Sequence, residues 1–341
     1  YYNAEHQFNI DTIQKSMKET LDYCIENFGT YPFNHIRIAE IPSHWSFGGF
    51  AHPGVISMVE NKLYLSDISN MKGFNLVAKR TIHEVSHQWW GHILSPKFVE
   101  GATLFTEGLA KYTEAIIMEK MYGKGAVYQL SKSANSRYFR GRSYASEQEP
   151  PLYLNDKQSY LSYGKNYTVM LALRDLLGEQ LLNNALKELS NKYRNSTEFN
   201  VTSLDFLNVL YKVTPEEHHV LINDWFKRVI RYDLSIKNTS YRKLSDETYE
   251  IILKIHAKRF EMKPNGEESS ITINEPIYVG VFTKHPSELA SSKSILYLKP
   301  HQINKETQEV KIIVNELPKF IAIDPFTARS DQNLTDNNNE L

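Results

Sequence analysis

The sequence has almost no cysteine and no excess of one charge, and both shortages limit what the protein can be. Cys24 is the single cysteine among 341 residues, which excludes an internal disulfide framework and a cysteine-rich zinc or iron–sulfur site. Any metal site must therefore use histidine and carboxylate ligands. The 39 basic side chains are balanced by 40 acidic ones, so we expect no nucleic-acid partner.

Long apolar runs are also missing. No uninterrupted apolar stretch approaches the roughly 20 residues that a membrane helix requires, and no basic and then apolar leader is present. This segment by itself is therefore expected to be soluble. It begins with Tyr1 rather than Met, which suggests that it was taken from a longer chain.

Apolar periodicity divides the chain into a mainly helical part and a strand-rich part. Short β-type runs are predicted at residues 35–41, 55–60 and 62–66, and helices dominate from there to residue 229. From residue 233, short strands recur at intervals typical of a β-sandwich. We predict an α+β protein with three parts: a mainly helical domain over 1–232, a small all-β sandwich over 233–327 and a mobile tail over 328–341.

The clearest chemical signal is an H-E-x-x-H motif, His83-Glu84-Val85-Ser86-His87, within a helix predicted over residues 78–93. Residues four apart lie on one face of a helix, so both imidazoles can bind one metal ion. Glu84 then lies next to the water that the metal activates and can act as a general base. The pentapeptide alone leaves a second interpretation open, a helix with two solvated histidines.

A catalytic zinc ion needs a third protein ligand. The next helix-compatible segment, residues 103–114, contains two glutamates seven residues apart. We assign Glu107 as the third ligand and Glu114 as a residue that hydrogen-bonds a ligand histidine from behind. Glu100 is the competing candidate, although it falls in the connecting loop.

These residues resemble the gluzincin aminopeptidases, the zinc aminopeptidase family that includes aminopeptidase N and leukotriene A4 hydrolase. The likeness covers H-E-V-S-H-Q-W-W-G at 83–91, T-E-G-L-A at 106–110 and G-G-F-A-H-P-G at 48–54, where the family has its substrate loop. It implies a thermolysin-like peptidase domain, one Zn²⁺ ion and peptide substrates. Tyr163 resembles the family's oxyanion-binding tyrosine, and the backbone of Gly48 and Gly49 is expected to hold an extended substrate.

The substrate loop departs from the family pattern. Ala51 stands where the family has the glutamate that binds a free amino terminus, and His52, a candidate substrate contact, replaces the following asparagine. The missing carboxylate removes a charge-assisted hydrogen bond worth about 1.5 to 3 kcal/mol. We therefore expect zinc-dependent peptide hydrolysis with an altered amino-terminus-binding loop. The alternative is a weakly active or inactive zinc-containing module that recognises peptides for a membrane transporter.

More closely, the chain resembles the peptidase part of bacterial proteins in which a multi-spanning ABC-type permease precedes such a peptidase. The stretch V-E-G-A-T-L-F-T-E at residues 99–107 carries this likeness. It implies attachment to a bacterial membrane through a permease outside this segment, on a side of the membrane that the sequence leaves open.

Overall fold

The computed structural model describes residues 1–69, 73–194, 196, 201–245, 247–263 and 265–341. Their internal contacts divide the chain into two compact units that alternate along the sequence. The first unit consists of Tyr1–Met121, Tyr153–Lys157 and Glu179–Pro215, and the second of Tyr122–Leu152, Gln158–Gly178 and Glu216–Leu341. Helices and sheets both contribute, which confirms the predicted mixed fold class.

The helices of the first unit follow apolar repeats in the sequence. In the first of them, Ile13, Cys24 and Phe28 are buried, and the helix ends at Gly29, whose φ of 104° is accessible to glycine without strain. The helices of this unit are α1 (Ile10–Phe28), α2 (Leu76–Ser86), α3 (Leu109–Tyr122), α6 (Glu179–Tyr193) and α7 (Ser203–Val213).

A three-stranded sheet completes the first unit, formed by β1 (Arg37–Ile41), β2 (Gly49–His52) and β3 (Val55–Val59). β3 lies in the middle, parallel to β1 and antiparallel to β2. Ile38, Ala51 and Ile56 point into an apolar core that also includes Val85 of α2. This packing places the edge strand β2 beside the helix that carries the H-E-x-x-H motif.

The β-type run predicted at residues 62–66 is not a strand. A short 3₁₀ turn, Glu60–Lys62, follows β3 directly. The side-chain amide of Asn9 then donates hydrogen bonds of 2.8 to 2.9 Å to the carbonyl groups of Leu63, Tyr64 and Ser66. One side chain thus satisfies carbonyl groups that a neighbouring strand would otherwise have to satisfy.

The second unit combines helices with two antiparallel sheets. Its helices are α4 (Lys124–Ser143), α5 (Asn166–Leu177) and α8 (His219–Phe226). One sheet contains β4 (Ile230–Lys243), β5 (Tyr249–Met262), β6 (Glu268–Ile271) and β9 (Thr307–Val314). The other contains β7 (Glu275–Phe282), β8 (Ile295–Ile303), β10 (Phe320–Ile323) and β11 (Asn338–Glu340). Alternate residues of both sheets, such as Leu253, Val279 and Ile321, share one apolar core.

The prediction of a mobile tail over 328–341 is corrected by the structure. The strand β11 pairs with β10, and Arg329 and Asp331 are 3% and 2% exposed. Arg329 donates through Nε to Glu275 at 2.7 Å, and Asp331 accepts from the backbone N–H of Leu234 at 2.9 Å. Polar contacts hold this segment in place. The apolar periodicity of the sequence therefore did not indicate that it is ordered.

The change from helices to strands occurs at Ile230, next to the predicted boundary after residue 232, although the two compact units do not divide there. Over the described residues, no helix combines the length and the apolar character needed to cross a membrane.

Candidate metal centre

The H-E-x-x-H motif lies at the end of α2, which is shorter than the helix predicted over 78–93. The Asn75 side chain caps the start by accepting from the Ala78 N–H. The helix ends at Ser86, and Gly91 adopts a φ of 112° in the turns that follow. His87 is the C-cap residue but keeps helical torsion angles. The two imidazoles therefore still share one face, with ring centroids 4.8 Å apart.

Glu107 approaches these imidazoles from a π-helical turn, Leu104–Gly108, that leads into α3. Its Oε2 lies 3.2 Å from His83 Nε2. The ligand atoms of His83, His87 and Glu107 all lie within 4.8 Å of one another. The structure thus brings together the three predicted ligands, whereas Glu100 lies exposed in the loop.

Each imidazole has an oxygen acceptor near its other ring nitrogen. Nδ1 of His83 lies 3.2 Å from Oε2 of Glu114, and Nδ1 of His87 donates to the Trp90 carbonyl at 3.1 Å. These contacts leave Nε2 of both rings as the ligand atom. Glu114 therefore lies behind His83, one of the candidate ligands.

Burial and nearby charges perturb the titration of these groups. Burial alone would lower the pKa of His83, but Glu107 and Glu114 outweigh it and raise that pKa to about 9. Burial and the neighbouring His83 lower the pKa of His87. Burial would raise the pKa of Glu114, yet Lys111, Lys79 and His83 hold it well below its usual range.

The donor set fits a zinc ion. Zinc binds histidine nitrogen and carboxylate oxygen at about 2.0 to 2.2 Å in a tetrahedral arrangement, which separates neighbouring ligand atoms by about 3.3 to 3.6 Å. The 3.2 Å between His83 Nε2 and Glu107 Oε2 lies just below that range. Three protein ligands leave one position for water or substrate, as in catalytic zinc sites.

Glu84 lies next to the ligand His83 in sequence and against the edge strand β2 in space. A Cβ atom added to Gly49 would lie 3.1 Å from the carboxyl carbon of Glu84 and 2.4 Å from Met58 Sδ. An added Cβ at Gly48 would meet no atom within 4 Å. A side chain at position 49 would therefore displace Met58 and the candidate general base.

Gln88 and His92, for which the sequence predicted no role, connect β2 to the segment that carries the H-E-x-x-H motif. Gln88, 1% exposed, accepts from the Gly54 N–H at 2.8 Å and donates to the His52 carbonyl at 3.0 Å. His92 donates to the Ala51 carbonyl at 3.0 Å. The His52 side chain is exposed and its ring lies 4.8 Å from that of Phe50, on the strand face opposite to the buried Ala51.

Tyr163 belongs to the second compact unit. It lies in another π-helical turn, Leu161–Lys165, directly before α5, and the Arg137 guanidinium lies 4.4 Å from its ring centroid. Its role as oxyanion donor stays a prediction.

A second group of potential metal ligands exists among the described residues, formed by His6, Glu40 and Glu60. His6 Nδ1 contacts Glu40 directly and lies 4.0 Å from Glu60. One oxygen of Glu60 already accepts from the Ser43 N–H at 2.9 Å. These contacts form an ordinary hydrogen-bonded cluster, and among the described residues no carboxylate is placed beside it as Glu84 is beside His83.

Comparison with known proteins gives a consistent result. The profile of the peptidase family M1 domain matches residues 10–225. The chain is 21% identical over 260 residues to probable aminopeptidase 2 of Sulfurisphaera tokodaii, covering 74% of this chain and 31% of that protein. It is 22% identical over 300 residues to aminopeptidase 2 of Candida albicans, covering 85% and 31%.

Among solved structures, aminopeptidase A of Legionella pneumophila in complex with aspartic acid aligns with a TM-score of 0.58 at 15% identity. The alignment covers 96% of this chain and 35% of that one, and it shows a shared fold. The chain spans about a third of the length of each of these relatives.

Proposed function

This chain belongs to peptidase family M1, and we infer from that premise that it hydrolyses peptide bonds with one zinc ion. The observation that carries the proposal is the convergence of the ligand atoms of His83, His87 and Glu107 within 4.8 Å, beside Glu84. Zinc is the cofactor to which both the family and this donor set point.

The zinc ion, Glu84 and Tyr163 are proposed to have separate roles in hydrolysis. Zinc, when bound, supplies a Lewis acid that polarises a carbonyl group and activates water. Glu84 accepts the proton of the attacking water and returns it to the amine that leaves, a role worth about 10² to 10⁴ in rate. Tyr163 is proposed to donate a hydrogen bond to the developing oxyanion, which rests on its resemblance to the family's tyrosine.

The substrate is proposed to be a peptide that lies along β2. Gly48 and Gly49 allow an extended backbone to approach this edge strand closely. The curated relatives are named aminopeptidases, and their activity is proposed for this chain in an altered form. Ala51 contributes only a buried methyl group where the family binds an amino terminus. The preference for a free amine is therefore expected to be weak.

One experiment tests both parts. Hydrolysis of a peptide with a free amino terminus is compared with that of the same peptide after acetylation, with and without a zinc chelator. We expect cleavage of both peptides within about tenfold of each other, with loss of both activities in chelator and recovery on zinc addition. No cleavage by zinc-loaded protein would refute the peptidase proposal, whereas a preference above 100-fold for the free amine would refute only the weakened subsite.

The finer architecture and the location are also proposals. Residues 1–232 are proposed to form a thermolysin-like peptidase domain followed by a β-sandwich over 233–327. The stretch at residues 99–107 supports attachment to a bacterial membrane through an ABC-type permease elsewhere in the chain. Recovery of the full-length gene product in the soluble fraction, with no permease segment, would refute that attachment.

A further inference from the structure

A buried ion pair, Lys111 with Glu114, lies directly behind His83. We propose that Lys111 is a positioning residue for the metal centre, which holds the Glu114 carboxylate against His83 and balances its charge. The inference rests on the proposed zinc site and adds a residue that does not touch the metal.

The contacts link two helices. Lys111 and Glu114 lie three apart on α3, and the Lys111 ammonium donates to both oxygens of Glu114, at 2.7 and 3.0 Å. Oε2 of that carboxylate lies 3.2 Å from Nδ1 of His83 on α2. Lys79, one turn before His83, lies 3.8 Å from the same oxygen.

Burial makes these contacts consequential. Glu114 is 0% and Lys111 6% exposed, so bulk water cannot compensate either charge. Without Lys111, the closest remaining cation is Lys79, 3.8 Å from Oε2. The buried carboxylate would then be drawn towards Lys79 and away from the imidazole, since an incompletely balanced charge in the interior is costly. With Lys111 in place, the carboxylate is held on two sides and keeps one oxygen on the imidazole.

The orientation of His83 depends on that oxygen. A histidine ligand presents Nε2 to a metal reliably when Nδ1 has a fixed hydrogen-bond acceptor. The carboxylate is such an acceptor only while it stays in the plane of the imidazole N–H. Lys111 therefore acts on the metal through Glu114, and replacing it should weaken zinc binding without removing any ligand.

The direct test is the zinc dissociation constant of Lys111→Met, measured by competition with a chromophoric chelator. Methionine has a similar length and no charge, so the packing of α3 is largely kept. We expect zinc affinity to fall about tenfold, at the lower end of the 10- to 100-fold range for residues that support metal ligands. Lys120→Met is the matched control, because Lys120 lies on the same helix, is half exposed and pairs with Glu179 at 3.8 Å.

A double-mutant cycle separates positioning from general destabilisation. Glu114→Gln alone should also weaken zinc binding, and Lys111→Met should cause less than a twofold further loss in that background. Thermal unfolding of the metal-free variants shows whether each one folds. If Lys111→Met does not fold, Lys111→Gln, which keeps one donor to Glu114, takes its place in the cycle.

Two results would overturn the inference: unchanged zinc affinity in folded Lys111→Met, or an equal loss with and without Glu114→Gln. Its failure is distinct from failure of the proposed function. A wild-type protein that binds no stoichiometric zinc would refute the zinc site itself, whereas normal wild-type binding with an unaffected Lys111 variant would refute only the role of Lys111.

Discussion

The contact between Gly49 and the candidate general base gives a sharp prediction. An added Cβ at this position would lie 3.1 Å from the Glu84 carboxyl carbon and 2.4 Å from Met58 Sδ. Ordinary contacts between nonbonded carbon atoms are about 3.5 to 4.0 Å. The substitution Gly49→Ala therefore asks Met58 to move by more than about 1 Å and Glu84 by about half an ångström.

Both movements have expected magnitudes. Overpacking against Met58, which is 1% exposed, should reduce the free energy of unfolding by about 1 to 3 kcal/mol. Displacement of a catalytic group by about 1 Å can cost about 10²-fold in rate, so a shift of half that size should lower kcat by about tenfold or more. No zinc ligand is touched, and zinc binding should stay stoichiometric.

The assay is steady-state cleavage of an internally quenched peptide by zinc-loaded Gly49→Ala, with unfolding by urea measured in parallel. Gly48→Ala is the comparison, because its added Cβ meets no atom within 4 Å, and its loss of kcat should be clearly smaller. A kcat for Gly49→Ala within twofold of the wild type, at full zinc occupancy, would refute the proposed placement of Glu84.

The remaining predictions concern zinc and the second unit. Glu107→Gln removes the anionic ligand and should lower zinc affinity at least tenfold in a chelator competition; unchanged affinity would contradict its role. Glu275 is fully buried between Arg259 and Arg329. Glu275→Gln should therefore lower the free energy of unfolding by about 3 to 5 kcal/mol, measured by unfolding in urea. A decrease below about 1 kcal/mol would contradict this role of Glu275. Burial raises the pKa of Asp331 to about 7, so the folded protein keeps this proton while the unfolded chain loses it near pH 3.9. The free energy of unfolding therefore includes the full contribution of this group below about pH 4 and decreases by up to about 4 kcal/mol as the pH rises to about 7. Asp331→Asn should lack that decrease. If the free energies of unfolding of both proteins changed with pH in parallel, the prediction would be wrong.

The grouping of the candidate metal ligands was the most predictable part of the site. The four-residue spacing of His83 and His87 has a direct geometric meaning on a helix, so a local pattern was enough. The two imidazoles share one face even though α2 ends at Ser86, because His87 keeps helical torsion angles. Glu107 was harder to predict, since one glutamate among many has no distinctive spacing. The family resemblance supported its assignment as the third ligand.

Other features depend on contacts between distant residues. Lys111 three positions before Glu114 is typical of an exposed helix pair, and only the three-dimensional structure shows that both side chains are buried. Asn9 replaces a strand partner for residues 63–66, which no run of neighbouring residues could indicate. The last segment is held by Arg329 and Asp331, so its lack of apolar periodicity was misleading.

The central claim is that a zinc ion held by His83, His87 and Glu107 works with Glu84 to hydrolyse peptides. The most direct measurement compares peptide cleavage by wild type and Glu84→Gln after both have been loaded to equal zinc content. We predict equal zinc affinity and a loss of kcat of at least 10²-fold in the variant. Equal cleavage rates at equal zinc occupancy would contradict the account.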